Sequence, residues 1–191
     1  MVIWVQGCCF RCPGCIAQSM LGFSGGTEID VAALAGRILE TPKIDGVTVS
    51  GGEPFMQATG IAALIDRVRE KRDMSFMCYT GFRLEELHEQ DEPGQIALLA
   101  RLDILVDGRY LRDQPTRKRW RGSANQRLHL LTSRHEAERA TMELPGTCLD
   151  MTVGADGDIQ WAGITPPGFR QALEYNMAIA GVQLRTGRSH S

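Results

Sequence analysis

Short apolar segments alternate with amphipathic segments along most of this chain, and the alternation constrains the fold more than any other feature. The first four apolar segments are each followed within two residues by glycine, and the amphipathic segments carry apolar residues at helical spacing. The pattern predicts strands at residues 2–6, 46–50, 75–79, 102–106 and 127–131, and helices at residues 30–40, 58–72, 84–89, 94–101 and 133–143. Asp30 and Ser133 are predicted to cap the first and the last of these helices.

Strands that alternate with helices are typical of βα units on a parallel sheet. A complete barrel of eight such units takes about 250 residues, whereas this chain has 191. We therefore expect an α/β fold built as a partial, open βα barrel of five to six parallel strands.

The C-terminal region has a different pattern. Residues 150–153 and 158–161 flank Asp156-Gly157, which is a strong turn signal, so we expect a β-hairpin there. We predict one domain over residues 1–184 and a flexible polar tail over residues 185–191. Because the first strand begins at residue 2, we also expect that an N-terminal lead-in segment is missing.

Three cysteines lie in the loop after the first predicted strand: Cys8, Cys12 and Cys15. Three thiolates can hold three corners of a [4Fe-4S] cluster, which normally has four cysteine ligands. The fourth iron is then open, and an open coordination position distinguishes a catalytic metal site from a structural one. Structural zinc is the main alternative, but it needs a fourth ligand. The histidines are all remote in sequence: His88, His129, His135 and His190.

Distinctive residues also follow the next three predicted strands. They are Gly51-Gly52-Glu53-Pro54, Thr80-Gly81 and Asp107-Gly108. In parallel α/β folds, ligands bind at the carboxyl ends of the strands, so these segments meet the cysteine loop at one edge. Glycine lets the backbone approach a ligand closely, and the carboxylate of Glu53 suits an ammonium group. Taken alone, the segment is better interpreted as a plain turn before a helix, but the three-cysteine loop on the neighbouring strand favours ligand binding.

The cysteine loop followed by Gly51-Gly52-Glu53-Pro54 resembles the radical S-adenosylmethionine superfamily. Further stretches resemble the activating proteins of anaerobic ribonucleotide reductase and related glycyl radical enzymes. These stretches are residues 4–8, 12–15, 50–54, 103–108 and 121–127. Many members of the superfamily have an aromatic residue before the third cysteine, and this chain has Gly14 there, as the reductase activases do.

The resemblance implies a mechanism. The three cysteines would bind the [4Fe-4S] cluster, and S-adenosylmethionine would chelate the open iron through its amino and carboxylate groups. Gly51, Gly52 and Glu53, with Pro54 in the same motif, would contact the methionine amino group. Reductive cleavage would give a 5′-deoxyadenosyl radical that abstracts hydrogen from a glycine of a partner enzyme. A glycyl radical enzyme and a flavodoxin or ferredoxin-type electron donor are the implied partners.

Three further residues are predicted to line the cofactor site. Thr80 could bind the ribose or simply end a strand, and Asp107 could be a polar group of the site or a turn residue. Asn125 could reach the cofactor or a peptide backbone through its side-chain amide. Cys9, by contrast, is predicted to be a non-ligand thiol, and Cys78 and Cys148 to be small buried residues.

Composition excludes several classes of partner. The net charge is −2, so the basic loop at residues 116–127 is a weak indication of RNA, and we expect no nucleic acid partner. No apolar run approaches the ~18–20 residues of a transmembrane helix, so we expect no membrane partner. Six cysteines without a secretory signal indicate the reducing cytoplasm. Two other functions stay open: radical modification of a peptide or small molecule, and a non-catalytic iron–sulfur or zinc binding module.

Overall fold

A computed structural model describes residues 1–146, 149–154, 159–165 and 168–181. Its main sheet has five strands in the order β1-β2-β3-β4-β5. They are β1 Val2–Val5, β2 Gly46–Gly51, β3 Ser75–Tyr79, β4 Ile104–Asp107 and β5 Arg127–Leu130. All five predicted strand positions are confirmed, with ends that differ by at most two residues. The sheet is open from β1 to β5, and a barrel is not confirmed.

The prediction of five to six parallel strands is wrong in one respect. β1 to β4 pair in parallel, but β5 runs antiparallel to β4, with Asp107 opposite Arg127. A parallel pair needs a crossover that carries the chain back to the amino end of the sheet. The connection between β4 and β5 contains no helix, and it stays at the carboxyl end of β4 because Gln126 Nε2 donates a hydrogen bond to the Gly108 carbonyl (2.9 Å). β5 therefore starts at the carboxyl end of β4 and runs antiparallel to it.

Four helices follow the strands: α1 Val31–Glu40, α2 Ala58–Arg69, α3 Leu84–Gln90 and α4 Pro93–Leu99. They pack on one face of the sheet and bury the main core. Its largest fully buried side chains include Ile38, Ile65, Phe76, Leu98 and Leu105. Because the side chains of a strand alternate between faces, the core residues Val47 and Val49 leave Thr48 and Ser50 on the opposite face of β2.

That second face is covered only in part. Met77, Ile104, Val106 and Met142 form a smaller buried cluster over β3 to β5. At the other side of the sheet, Trp4 of β1 is 43% exposed. The sheet therefore has a helix-covered face and a face that stays accessible near β1 and β2, among the described residues.

The segment after β5 differs from its prediction. Residues 133–143 were expected to form one helix capped by Ser133, but they form a 3-10 helix, Ser133–Glu138, followed by the short α5, Arg139–Met142. His135 has non-helical backbone angles, and the cap is Thr132, whose hydroxyl accepts a hydrogen bond from the Arg134 amide. A kink and a cap shifted by one residue depend on local angles that propensity does not specify.

The C-terminal hairpin is confirmed. β6, Leu149–Val153, pairs antiparallel with β7, Ile159–Gly163. The predicted turn at Asp156-Gly157, the thiol of Cys148 and the predicted tail lie outside the described residues. α6, Phe169–Ile179, was not predicted from the sequence. Phe169, Leu173 and Met177 recur every four residues along it and are half-buried, whereas Tyr175 and Ile179 are 67% and 69% exposed.

Asp30 caps the N-terminus of α1, and its contribution to stability can be tested by mutation. The Asp30 carboxylate accepts hydrogen bonds from the Ala32 amide (2.8 Å) and the Ala33 amide (3.1 Å), as expected for the predicted N-cap. We expect Asp30→Ala to lower the free energy of unfolding by about 1 kcal/mol. Asp30→Asn, which keeps an acceptor oxygen, should cost much less. Urea unfolding of the two variants measures this, and equal losses would contradict the capping role.

Candidate cluster and cofactor site

The three predicted ligand cysteines lie on one loop at the carboxyl end of β1. Cys8 is buried, and Cys12 and Cys15 are half-buried. The loop is closed at its base by hydrogen bonds from the Gly7 amide to the Met20 carbonyl (2.9 Å) and from the Cys8 amide to the Leu21 carbonyl (3.2 Å). The backbone thus holds the cysteines in one compact turn.

Gly14 has a conformational role in this loop. It has a φ of +77°, which side-chain-bearing residues rarely adopt, and the amide of the next residue, Cys15, donates to the Cys12 carbonyl (3.1 Å). The left-handed turn between Cys12 and Cys15 therefore explains why this position carries glycine rather than an aromatic residue.

The thiols lie close enough to affect one another. Burial raises the pKa of Cys15, and the neighbouring thiols of Cys12 and Cys8 raise it further. Among the described residues, no group of three or more His, Cys, Asp or Glu side chains converges on a single metal ion. A cubane needs no such convergence because each thiolate binds a different iron. A donor set of thiols alone fits the cluster better than closed tetrahedral zinc.

The Gly51-Gly52 segment packs directly against the cysteine loop. The Gly52 amide donates to the Val5 carbonyl (2.7 Å), and the Glu53 amide donates to the Gly7 carbonyl (2.8 Å). A Cβ atom on Gly52 would lie 2.1 Å from the Gly7 oxygen, and one on Gly51 would lie 2.5 Å from the Val5 backbone. Both glycines are therefore required by the close approach of two backbones, beside any role in ligand binding.

Glu53 is buried at this junction, with 1% of its surface exposed. Its Oε1 accepts hydrogen bonds from the Phe55 amide (2.9 Å) and the Thr80 hydroxyl (2.9 Å), and its Oε2 accepts one from the Gly81 amide (2.7 Å). Burial raises the pKa of Glu53 to about 7, although these hydrogen bonds favour the ionised form. The side chain thus joins the ends of β2 and β3, and Pro54 begins the 3-10 helix that follows, Pro54–Gln57.

Thr80 lies at the same edge, but its hydroxyl has partners within the protein. It donates to Glu53 and accepts a hydrogen bond from the Phe82 amide (3.1 Å). Contact with a ribose therefore stays a prediction.

Asp107 is fully buried at the end of β4. Its carboxylate accepts hydrogen bonds from the Leu84 amide (2.8 Å) and Arg127 Nε (3.1 Å), and His129 Nε2 lies 3.1 Å from it. Burial alone would raise the pKa of Asp107, but His129, Arg127 and the Leu84 amide lower it well below its usual range. Asp107 links β4, β5 and α3, and its predicted contact with the cofactor stays a prediction.

Asn125 holds the connection between β4 and β5. Its Nδ2 donates to the Arg109 carbonyl (2.8 Å), while its Oδ1 is buried without a partner among the described residues. The free acceptor is compatible with the predicted cofactor contact and does not establish it.

Two residues beside the cysteine loop, Phe10 and Arg109, were not identified from the sequence. The Phe10 ring lies 4.7 Å from that of Phe82 in an edge-to-face arrangement, and the Arg109 guanidinium lies 4.4 Å above the Phe10 ring. A Cβ on Gly81 would lie 2.4 Å from the same ring. These contacts attach the cysteine loop to the ends of β3 and β4. The presence of an aromatic residue, Phe10, between the cysteines of the loop could have indicated this packing from the sequence.

The remaining described cysteines match their predictions in part. Cys9 is exposed, and Cys78 is fully buried in the main core. Burial raises the pKa of the Cys78 thiol well above its usual range, so it stays protonated. The non-ligand role of Cys9 stays a prediction. No helix among the described residues has the length and apolar character needed to cross a membrane.

Comparison with known proteins gives consistent matches. A family model described as a 4Fe-4S single cluster domain matches residues 1–129. The chain is 34% identical to the anaerobic ribonucleoside-triphosphate reductase-activating protein of Haemophilus influenzae over 135 residues, which is 66% of this chain and 84% of that protein. It is 34% identical to the protein of the same name from Vibrio cholerae over 138 residues, or 68% and 86% of the two chains. The Escherichia coli K12 protein is 30% identical over the same shares. No solved structure matches significantly.

The contact between Gly52 and Gly7 predicts that Gly52→Ala displaces the cysteine loop, because the new methyl group would overlap a backbone oxygen. We expect a loss of about 2 kcal/mol or more in the free energy of unfolding, and less iron bound after anaerobic reconstitution. Gly60→Ala is the matched control. Gly60 lies in α2 with nothing near its Cβ position, so alanine should stabilise the helix by up to about 1 kcal/mol. Normal iron binding by Gly52→Ala would contradict the packing role.

Burial of Glu53 predicts a pH dependence of stability. The folded-state pKa is raised from 4.5 to about 7, so the folded protein holds this proton more tightly than the unfolded chain. The contribution of the protonated side chain is fully present below about pH 4.5 and is lost as the pH rises through 7. Glu53→Gln lacks this titration. Between about pH 4.5 and 8, the stability of the unmodified apoprotein should fall by about 3 kcal/mol relative to Glu53→Gln.

Denaturant unfolding at several pH values measures this difference. Glu89→Gln, at an exposed position of α3, should follow the unmodified protein at every pH. A difference between the unmodified protein and Glu53→Gln that does not vary with pH would contradict the raised pKa.

Proposed function

Because the chain belongs to the family of anaerobic ribonucleoside-triphosphate reductase-activating proteins and contains its single-cluster 4Fe-4S domain, we propose that it installs a glycyl radical on an anaerobic ribonucleotide reductase. The observation that carries this proposal is the three-thiol loop at the carboxyl end of β1, packed backbone to backbone against Gly51-Gly52. The family match and the contact between the two motifs support the proposal independently.

The chemistry needs two groups, a [4Fe-4S] cluster and S-adenosylmethionine. When bound, they supply a one-electron cleavage of the sulfonium, which gives methionine and a 5′-deoxyadenosyl radical able to take hydrogen from a glycine. In our proposal Cys8, Cys12 and Cys15 would hold the cluster. Because the loop supplies three thiols, one iron would be left for the amino and carboxylate groups of the cofactor.

The residues after β2 position the cofactor in this proposal. The Gly51-Gly52 backbone and Glu53 contact the methionine amino group, and Pro54 fixes the chain as it leaves the site. The Glu53 carboxylate already accepts three hydrogen bonds from neighbouring protein groups, so we expect the carbonyl groups of this segment to supply much of the amine contact. Thr80, Asp107 and Asn125 complete the proposed site at the next strand ends.

The accessible face of the sheet near β1 and β2 leaves room for a peptide to approach the strand ends. Trp4 is exposed there, and Ser50 lies opposite Trp4 in the register of the two strands. We propose that the glycine-bearing segment of the reductase approaches on this face, within residues 1–184 acting as one domain. All five cysteines within the described residues are free, which supports the reducing cytoplasm as the compartment. A flavodoxin or ferredoxin-type protein would supply the electron, and neither nucleic acid nor a membrane is needed.

Anaerobic reconstitution tests the proposal. With iron and sulfide, the protein should gain the brown colour of a cubane, and with dithionite it should convert S-adenosylmethionine into 5′-deoxyadenosine. Cys12→Ala should lose both properties, because a cluster held at two corners is not retained. Cys9→Ala is the matched control from the same loop and should keep both.

Chromatography of 5′-deoxyadenosine and electron paramagnetic resonance of the partner glycine measure the outcome. Colour without cleavage would refute the activase function in favour of a non-catalytic iron–sulfur module. Cleavage without radical transfer to the reductase would refute the proposed substrate in favour of another peptide or small molecule.

A further inference from the structure

Two arginines from the connection between β4 and β5 lie on the cysteine loop. The Arg109 guanidinium stacks 4.4 Å from the Phe10 ring centroid. The Arg112 side chain lies against Gly14, since a Cβ on that glycine would be 2.5 Å from Arg112 Nε. Both arginines are exposed, and neither has a carboxylate partner among the described residues. Their charges are therefore available to something outside this part of the chain.

The connection that carries these arginines is held in place by hydrogen bonds. Asn125 Nδ2 donates to the Arg109 carbonyl (2.8 Å), and the Leu111 amide donates to Ser123 Oγ (3.1 Å). The Ala124 amide donates to the Gln114 carbonyl (2.7 Å). The motif at residues 121–127 thus fixes residues 108–114 above the cysteine loop. The arginine positions follow from this framework.

The rim of the cysteine loop is locally positive, although the chain as a whole has a net charge of −2. Arg11, exposed within the loop itself, adds a third guanidinium. Asp113 is the single acidic residue at positions 108–114. A cluster of exposed positive charge on a weakly acidic protein attracts and orients an acidic partner.

We propose that Arg11, Arg109 and Arg112 form the docking surface for a small acidic one-electron carrier protein. This rests on the proposed function, which requires an electron at the cysteine loop. Electron transfer slows steeply with distance, and Cys9 and Arg11 are exposed in the loop whose cysteines would hold the cluster, so a carrier that docks on this loop lies near it. Redox encounters bury little surface, so a few steering charges are sufficient.

The transfer involves one electron and no bond formation. The carrier is oxidised by one electron, and the bound cluster is reduced by one electron to its active state. In our proposal the reductase approaches the accessible face near β1 and β2, whereas the carrier docks on the arginines of the cysteine loop and of the connection between β4 and β5.

The experiment uses reconstituted protein and reduced flavodoxin, a strongly acidic carrier, as the probe. Stopped-flow absorbance follows cluster reduction at low and high salt. We expect the rate to fall as salt rises, and Arg112→Glu to slow it about tenfold or more at low salt. Arg112→Lys, which keeps the charge, should lose little. Arg37→Glu, at an exposed arginine of α1 remote in sequence from the loop, is the charge-matched control and should behave as the unmodified protein.

A second measurement does not depend on activity. The Kd of oxidised flavodoxin, from its flavin fluorescence, should rise about tenfold in Arg112→Glu and stay unchanged in Arg37→Glu. Cleavage of S-adenosylmethionine driven by dithionite should be normal in Arg112→Glu. Failure of that cleavage in the unmodified protein would overturn the proposed function, while the Kd and the reduction rate would still test docking.

Three results would overturn the docking proposal. The first is a reduction rate and Kd that do not respond to salt or to Arg112→Glu. The second is an equal loss in Arg37→Glu, which would mean that net charge alone matters. The third is weakened binding of S-adenosylmethionine to Arg112→Glu, which would assign the arginine to the cofactor carboxylate instead.

Discussion

The buried carboxylate of Glu53 and the backbone around it hold the candidate site together. The Glu53 amide bonds to the Gly7 carbonyl at the end of β1, and its side chain bonds to Thr80 and Gly81 at the end of β3. One residue thus connects three neighbouring strand ends. Because a buried carboxyl costs free energy unless it is hydrogen-bonded, the side chain keeps its partners only while the ends of β2 and β3 keep their places. The hydrogen bond from the Glu53 amide to the Gly7 carbonyl then positions the cysteine loop, which begins after Gly7.

A second set of charges fixes the far side of the same edge. Asp107 receives hydrogen bonds from Arg127 and from the first amide of α3, and Arg127 also bonds to Glu85 (2.8 Å). Arg127 lowers the pKa of Glu85 to about 2. These contacts bring β5 back against β4 and hold the arginine-bearing connection between them. The site is therefore positioned by buried polar groups rather than by the hydrophobic core alone.

Much of the fold could be predicted from the sequence, for physical reasons. Segments such as residues 75–79 are apolar and bounded by glycine or polar residues, and the helix after Asp30 has both a cap and an apolar stripe. The direction of β5 could not be predicted, because it depends on side-chain hydrogen bonds within the preceding connection, such as Gln126 to Gly108. α6 was missed although its apolar residues Phe169, Leu173 and Met177 recur at helical spacing.

Some features of the candidate site could likewise be predicted from the sequence, and others could not. Cysteine spacing and the Gly51-Gly52 pair are visible in the sequence, since their chemistry or lack of a side chain is itself the signal. The sequence did not show why Gly51 and Gly52 must be glycines. It indicated that their backbone approaches a ligand, whereas in the structure their backbone approaches that of Val5 and Gly7. The contacts of Phe10 with Phe82 and of Arg112 with Gly14 join segments that are distant in sequence, so they could be identified only in the folded structure. Thr80 and Asp107 were found by position, but their protein partners became visible only in three dimensions.

We propose that the cysteines of residues 8–15 bind three irons of a [4Fe-4S] cluster. The fourth iron would then bind the amino and carboxylate groups of S-adenosylmethionine. Electron–nuclear double resonance of the reduced, reconstituted protein with ¹⁵N-amino-labelled S-adenosylmethionine tests it most directly. The account predicts a strong coupling between the cluster spin and the labelled nitrogen, with a changed cluster signal when the cofactor is added. An unchanged signal without nitrogen coupling would contradict it.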